Sequence, residues 1–371
     1  MERILITGGA GFIGSHLADA LIDQGYRVRV LDALSEQVHG GVRQPPDYLN
    51  PAVEFMHGDI CNAESVGEAL QNVDAVFHFA AAVGVGQSMY QIARYTDINN
   101  RGTAVLLQCL IEQPVKKLAV ASSMSVYGEG LYRAADGQTC APPERLPAQL
   151  QQGLWELRDK NGGSLQPLPT PESKTTSPAS VYALSKYDQE RLCLLVGQAY
   201  NIPTVALRFF NVYGTRQALS NPYTGVLAIF AARYLNGNSP LIFEDGEQQR
   251  DFVNIRDVVQ ACVLALERDQ AAGRIFNVGS GLSHTVRDIA AHMGRLLGRE
   301  EIRPVITRQY RVGDIRHCFA DIGEARRILG YTPRIGLEEG MGELVEWLQT
   351  QAAFDRFEAA NEELSQRGLR L

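Results

Sequence analysis

Tyr182 and Lys186 stand four residues apart in the run Tyr182-Ala183-Leu184-Ser185-Lys186, so on a helix the phenol and the ammonium share one face, a turn apart. A phenol ordinarily loses its proton near pH ~10, and a neighbouring cation favours the phenolate, which makes it a usable base near neutrality. By itself this spacing equally describes a surface pair on a helix. It gains weight from Ser122-Ser123-Met124-Ser125, which ends a run of small and branched apolar residues at 118–122. If that run is a parallel strand, Ser123 sits at its carboxyl end, where open α/β sheets bind ligands. A hydroxyl donor and a base in one place can polarise an oxygen and remove its proton.

A second constellation opens the chain. Residues 4–7 read as a strand and lead directly into Gly8-Gly9-Ala10-Gly11-Phe12-Ile13-Gly14, which contains GxGxxG at Gly9, Gly11 and Gly14. Such glycines permit a tight turn, let the backbone approach a pyrophosphate, and allow a helix to pack closely on a strand. The helix that follows offers free N–H groups and its positive dipole end to the phosphates. Gly8, Gly11, Phe12, Ile13 and Gly14 are therefore expected at a dinucleotide. Asp32 ends the second strand, where a carboxylate accepts bonds from ribose hydroxyls and repels the extra phosphate of NADP. No Arg or Lys occurs in Asp32-Ala33-Leu34-Ser35, so the expected cofactor is NAD.

These residues need a sheet to hold them. Runs at 4–7, 27–32, 54–59, 75–79, 118–122 and 204–208 read as strands alternating with amphipathic helical stretches, which predicts βαβ units and a doubly wound parallel α/β sheet of Rossmann type. We expect a cofactor domain over residues 1–210, interrupted by an insertion at 129–172. The insertion is rich in Pro, Gly and Gln, Pro142-Pro143 among them, and reads as an excursion over the active site or a disordered insert. Residues 211–371 form a smaller mixed α/β substrate domain, with a segment near 253–279 returning to the first domain. Helices are expected at 226–235, 255–266, 286–297 and 337–348, and the polar tail 352–371 reads as an exposed helix.

Composition bounds the partners. The chain has 371 residues, 45% of them hydrophobic, and a formal charge of -7, enough for a large core and unsuited to nucleic acid or an anionic membrane as main partner. Its six cysteines are scattered without a CxxC pair, and no histidine cluster completes a metal site. The expectation is a cytoplasmic, reduced, metal-free protein with no membrane-spanning run.

With these motifs in place, the chain resembles the extended short-chain dehydrogenases that act on nucleotide sugars, and the resemblance covers almost its whole length. In that family the segment matching Gly58-Asp59-Ile60 lies against the adenine, and Phe79-Ala80-Ala81-Ala82 matches the wall of the cofactor cleft. Asn99, in Asn99-Asn100-Arg101-Gly102-Thr103, matches the family's structural asparagine and is grouped with the cofactor residues, as are Tyr182 and Lys186. Asn211, in Arg208-Phe209-Phe210-Asn211, matches an asparagine on the substrate's diphosphate. Arg250, in Arg250-Asp251-Phe252-Val253, matches an arginine on the same phosphates. Arg311 and Asp314, in Arg311-Val312-Gly313-Asp314, match a phosphate ligand and a ribose ligand. Guanidinium groups suit multidentate phosphate recognition on physical grounds as well. The resemblance further implies a nucleotide-diphosphate sugar as partner and a homodimer.

It also implies a reaction. Tyr182 takes the proton of the sugar's C4 hydroxyl, C4 is oxidised by NAD, and Ser123 hydrogen-bonds the oxygen. The family's dehydratases carry Asp and Glu directly after the residue matching Ser123, and the decarboxylases of uronic-acid nucleotides usually carry Glu where Ser125 stands. Here Met124 and Ser125 line the sugar site instead, and neither is an efficient acid or base near neutral pH. Inversion at C4 through a 4-keto sugar is the expected outcome. The insertion, residues 218–225 and residues 310–319 are most similar to the dTDP-L-rhamnose 4-epimerase subgroup. UDP-glucose or UDP-N-acetylglucosamine remains the alternative, because Cys318 matches a position that limits the sugar's C2 substituent. A dehydrogenase or ketoreductase with net NAD turnover, or a catalytically silent NAD sensor, is the reading of a different class.

Overall fold

The computed structural model describes residues 2–41, 43–142, 144–218, 225–351 and 357–370. Pro143, residues 219–224 of the 218–225 motif and residues 352–356 of the tail lie outside them. Seven strands form one sheet: β1 Arg3–Thr7, β2 Arg27–Asp32, β3 Glu54–His57, β4 Ala75–His78, β5 Lys117–Ser123, β6 Thr204–Phe209 and β7 Ile275–Val278. Their spatial order is β7-β6-β5-β4-β1-β2-β3, and every pairing is parallel. This is the Rossmann order extended by one strand, and β7 comes from the half of the chain beyond residue 210. The third strand stops at His57, two residues short of the expected end, because the chain turns at Gly58 after its N–H bonds Asp32 O.

The central strands are apolar along most of their length because both faces are covered, whereas the edge strand β3, Glu54-Phe55-Met56-His57, is only partly buried. Ile4 and Ile6 point into one core with Val28, Val30 and Phe77, whereas Leu5 points into the other with Val76, Leu118 and Leu110. Helix α1 Phe12–Asp23 follows the glycine loop, and α2 Val181–Ala199 carries the Tyr/Lys pair back to β6. Beyond the sheet come α3 Val226–Leu235, α4 Ile255–Glu267, α5 Val286–Leu296, α6 Leu337–Gln349 and α7 Phe357–Gln366. Phe230, Tyr234, Met293, Leu344 and Leu348 of α3, α5 and α6 form a third core that belongs to the substrate half.

The described residues of the insertion are folded, and none of them lines the cavity that holds Ser123 and Tyr182. Leu131–Arg133 is the middle strand of a small antiparallel sheet with Thr139–Cys140 and Gln166–Leu168, over a core of Tyr132, Leu157 and Leu165. An ionic cluster fastens it to the substrate half. Arg316, with 0% exposure, meets Glu156 at 2.5 Å, Asp245 at 2.7 Å and Glu244 at 2.8 Å, and Arg145 meets Glu244 at 2.7 Å. A buried guanidinium is tolerated only with such partners. The tail also departs from expectation: α7 is a helix, but Ala360, Asn361 and Leu364 are buried. Among the described residues no helix is long and apolar enough to cross a membrane, and no three His, Cys, Asp or Glu converge as metal ligands.

Candidate active site

The strand order reverses between β1 and β4, so their carboxyl ends frame a crevice. Gly8 turns there with φ +70°, and a Cβ on it would lie 2.8 Å from Ala80 N, which excludes any other residue. A Cβ on Gly14 would come within 2.6 Å of Gly9 Cα, so α1 rests directly on the loop. Gly11 immediately precedes α1, Phe12 and Ile13 form its first turn, and the first-turn N–H groups lack intrahelical partners. Asp32 accepts from Ala10 N at 3.0 Å and Leu34 N at 2.9 Å, which uses about half of a carboxylate's lone-pair sites. A backbone cradle that no Cβ can enter, a helix N-terminus and a carboxylate on the next strand fit an NAD molecule.

The opposite wall is built from β4. Thr7 Oγ1 accepts from Phe79 N and Ala80 N, both at 3.2 Å, and pairs with His78 Nδ1 at 2.8 Å. Burial lowers the His78 pKa to about 3, and Lys186 adds to the effect, so this ring is neutral. Beyond Ala81, Asn99 Oδ1 accepts from Ala82 N at 2.7 Å while Nδ2 donates to Ala82 O and Ser185 Oγ. Its amide is thus engaged in bracing the wall against α2. Asp59, exposed after β3, accepts from Cys61 N at 2.8 Å, and Ile60 is buried against Gly102.

Helix α2 begins at Ser180, whose side chain accepts from Ala183 N at 3.1 Å, and Ser88 Oγ accepts from Tyr182 N at 3.0 Å. Burial raises the pKa of the Tyr182 phenol, and the Ser123 hydroxyl near it opposes the rise. Lys186 differs from expectation. Its ammonium donates to Gln189 Oε1 at 2.6 Å, and Gln189 Nε2 donates to Thr103 Oγ1 at 2.9 Å. The spacing does place Lys186 one turn from Tyr182, but the longer side chain is drawn to a partner three residues further along. Burial brings its pKa down to about 8, so the ammonium is held at a cost that a nearby anion would relieve. Glu190, a residue the sequence did not suggest, fixes the geometry: it accepts from Ser122 Oγ at 2.6 Å and pairs with Arg208 at 2.6 Å. The helix bearing Tyr182 is thereby clamped to the strand bearing Ser123.

A cavity of about 400 Å³ opens beside them, within the size of small-molecule sites. Ser123, Met124, Ser125 and Tyr182 line one part of it, and Asn211, Arg250, Arg311 and Asp314 also line it. The structure therefore brings all of the expected substrate residues to one space. Arg250 donates to the carbonyls of Gln249, Ile315 and Arg316, which leaves two of its five N–H groups without a partner among the described residues. Arg311 lies 4.6 Å over the Phe243 ring and donates to Asp314 at 3.0 Å. Asn211 Oδ1 is buried without a partner among the described residues.

Other lining residues went unread in the sequence: Phe243, Gln248 and Gly86, and from α7 Ala360, Asn361 and Leu364. Gln248 Oε1 is a second buried acceptor of this cavity without a partner among the described residues. Cys318, expected beside the sugar, is buried next to Arg250's pairing register and is not among the described residues that line the cavity.

A Rossmann sheet with a glycine loop at its switch point and a Ser/Tyr/Lys set beside an arginine-lined cavity defines an extended short-chain dehydrogenase that works on nucleotide sugars. Residues 4–146 and 161–279 match the NAD dependent epimerase/dehydratase family, and the chain belongs to that family. It is an NAD-dependent nucleotide-sugar 4-epimerase. It is 34% identical to a dTDP-L-rhamnose 4-epimerase from Burkholderia thailandensis over 94% of this chain and 95% of the relative. It is similar to the crystal structure of a UDP-glucose 4-epimerase from Thermotoga maritima with UDP-glucose, at 33% identity and TM-score 0.76, covering 94% of this chain and 98% of that one. It also resembles a Thermus thermophilus UDP-glucose 4-epimerase in complex with NAD, at 29% identity and TM-score 0.74, covering 94% and 100% of the two chains.

Proposed function

We propose that the substrate is dTDP-L-rhamnose, inverted at C4. The observation that carries this choice is the 34% identity, across 94% of the chain, to the Burkholderia thailandensis dTDP-L-rhamnose 4-epimerase. The cavity supports it: Val85, Met124 and Leu364 give it apolar surface suited to the methyl group of a 6-deoxy sugar.

In this reading Tyr182 accepts the proton of the C4 hydroxyl, and Ser123, which lines the same cavity, donates to the same oxygen as it becomes a ketone. Asp32 and the glycine loop hold the cofactor, which when bound supplies the redox chemistry at C4. Burial resists a phenolate at Tyr182 in the free protein, and positive charge arriving beside it would lower its proton affinity. Asn211, Arg250 and Arg311 retain the diphosphate while the 4-keto sugar turns about that linkage and presents its other face. Elimination of water is disfavoured because the acids that line the cavity among the described residues are Glu244 and Asp314, and both are bound to arginines. UDP-glucose is the second candidate, since the Thermotoga maritima relative is a UDP-glucose 4-epimerase seen with that molecule.

The test is incubation of purified enzyme with dTDP-L-rhamnose, UDP-glucose, UDP-N-acetylglucosamine and GDP sugars, followed by NMR. We expect interconversion of dTDP-L-rhamnose and its C4 epimer without added NAD. Activity on UDP sugars alone would overturn the substrate and keep the mechanism.

A further inference from the structure

Residues 357–370 carry none of the chemistry described above, yet they wall the substrate cavity. Helix α7 lays Ala360 and Leu364, one turn apart, against it, with Asn361 beside them. Leu364 packs on Gly86, where an added Cβ would lie 3.3 Å from Leu364 Cδ1. Gly86 belongs to the short helix Val85–Ser88, and Ser88 Oγ holds Tyr182 N at 3.0 Å, so this contact falls at the catalytic end. Further on, Leu369 O accepts from Val312 N at 3.0 Å, and Arg370 bridges to Arg311. The segment thus runs from the support of the catalytic tyrosine to the arginine expected on the diphosphate.

Its polar anchors reach both halves of the protein. Tyr90 donates to Glu363 at 3.0 Å, Arg367 lies 4.2 Å over the Tyr90 ring, and Arg233 meets the largely exposed Glu358 at 2.9 Å. Contacts of this kind are individually weak in water, so the segment can part from the cavity without unfolding the sheet. Asn361 stands apart from them. It is 4% exposed, it lines the cavity, and its Nδ2 has no partner among the described residues. A buried amide donor left unpaired is costly, and a partner that arrives with the ligand removes the cost. The hydroxyl-rich part of a nucleotide sugar at the Tyr182 end is the sugar ring.

We propose that residues 357–370 form a cap over the substrate and that Asn361 donates a hydrogen bond to a hydroxyl of the sugar ring, making it a determinant of sugar recognition. This rests on the reading of the cavity as a nucleotide-sugar site. Because the donor sits on the cap, the sugar is recognised only when the cap is seated, whereas the nucleotide is held by the body of the protein.

The experiment compares full-length, NAD-loaded wild type with Asn361→Leu and Asn361→Asp, both of which lack the donor. Calorimetry measures dTDP against dTDP-L-rhamnose and UDP against UDP-glucose, and hydrogen exchange follows the amides of residues 357–366. For the sugar nucleotide that the wild type binds, we expect affinity to fall about 3–10-fold in both variants. Affinity for the free diphosphate should stay within about twofold, and wild-type α7 should gain protection with the sugar nucleotide beyond that given by the diphosphate. Unchanged affinity for the sugar nucleotide in both variants overturns the proposal. So does equal weakening of diphosphate and sugar nucleotide, since the effect then lies outside the sugar. A wild type that binds neither nucleotide sugar refutes the functional reading beneath it, and is told apart by that result.

Discussion

Replacing Glu190 by alanine removes a carboxylate with 0% exposure that three hydrogen bonds engage. Its partner Arg208 is itself buried, bonded to Glu190 through Nε at 2.8 Å and through Nη2 at 2.6 Å. After truncation the guanidinium keeps, among the described residues, Glu172 O at 3.3 Å and the Tyr127 ring at 4.7 Å. An unpaired cation left in such a place costs about 3–5 kcal/mol of stability. Glu190→Gln preserves shape and an acceptor for Ser122 and should lose less, about 1–3 kcal/mol. Urea unfolding followed by circular dichroism reads the difference. At a slope of about 3 kcal/mol/M the alanine variant's midpoint moves down by 1 M or more, in order-of-magnitude terms. Because Ser122 adjoins Ser123, turnover of the folded variants should fall more than KM rises. A Glu190→Ala protein within about 1 kcal/mol of wild type would refute the clamp between α2 and β5.

Tyr182→Phe should lower turnover by at least about 10²-fold while the protein still carries NAD through dialysis, and retention of most of the rate would remove Tyr182 as the base. Asp32→Ala should weaken NAD more than NADP, as titrated by fluorescence, and an unchanged preference would sink the selective role of Asp32. Burial by itself would raise the Glu156 pKa, but hydrogen bonds from His317 and Arg316 outweigh it and hold the group at about 2, against 4.5 unfolded. A depressed carboxylate pKa contributes stability above the unfolded value and loses it as pH falls toward the folded one. Glu156→Gln should therefore be less stable than wild type at pH 6, with the gap narrowing as pH is lowered from 5 toward 3; a gap constant with pH would contradict the role of this ion pair.

Most of the sheet was legible because its strands are short runs rich in branched apolar residues that alternate with helical stretches: residues 4–7, 27–32 and 204–208 all lie within one residue of observed strands. Helices such as Val226–Leu235 were legible from their periodicity. The insertion was not, since its short strands show little alternation and its fastening comes from Glu244, Asp245 and Arg316, far away in sequence. The tail misled through its polar composition, although Ala360 and Leu364 at a spacing of four already marked a buried stripe. Site residues with a motif around them could be read singly. Gln248 and Asn361 could not, because each matters through a cavity that exists only when distant segments meet.

The central claim is that C4 is oxidised and reduced within one site, with nothing exchanged between that carbon and water. The most direct measurement is turnover of dTDP-L-rhamnose in D₂O without added cofactor, with NMR of C4 in both epimers and absorbance followed near 340 nm. Inversion is expected with no deuterium at C4 and no net absorbance change, because the hydrogen removed from C4 is the one returned to it. Deuterium at C4 in the product would contradict it.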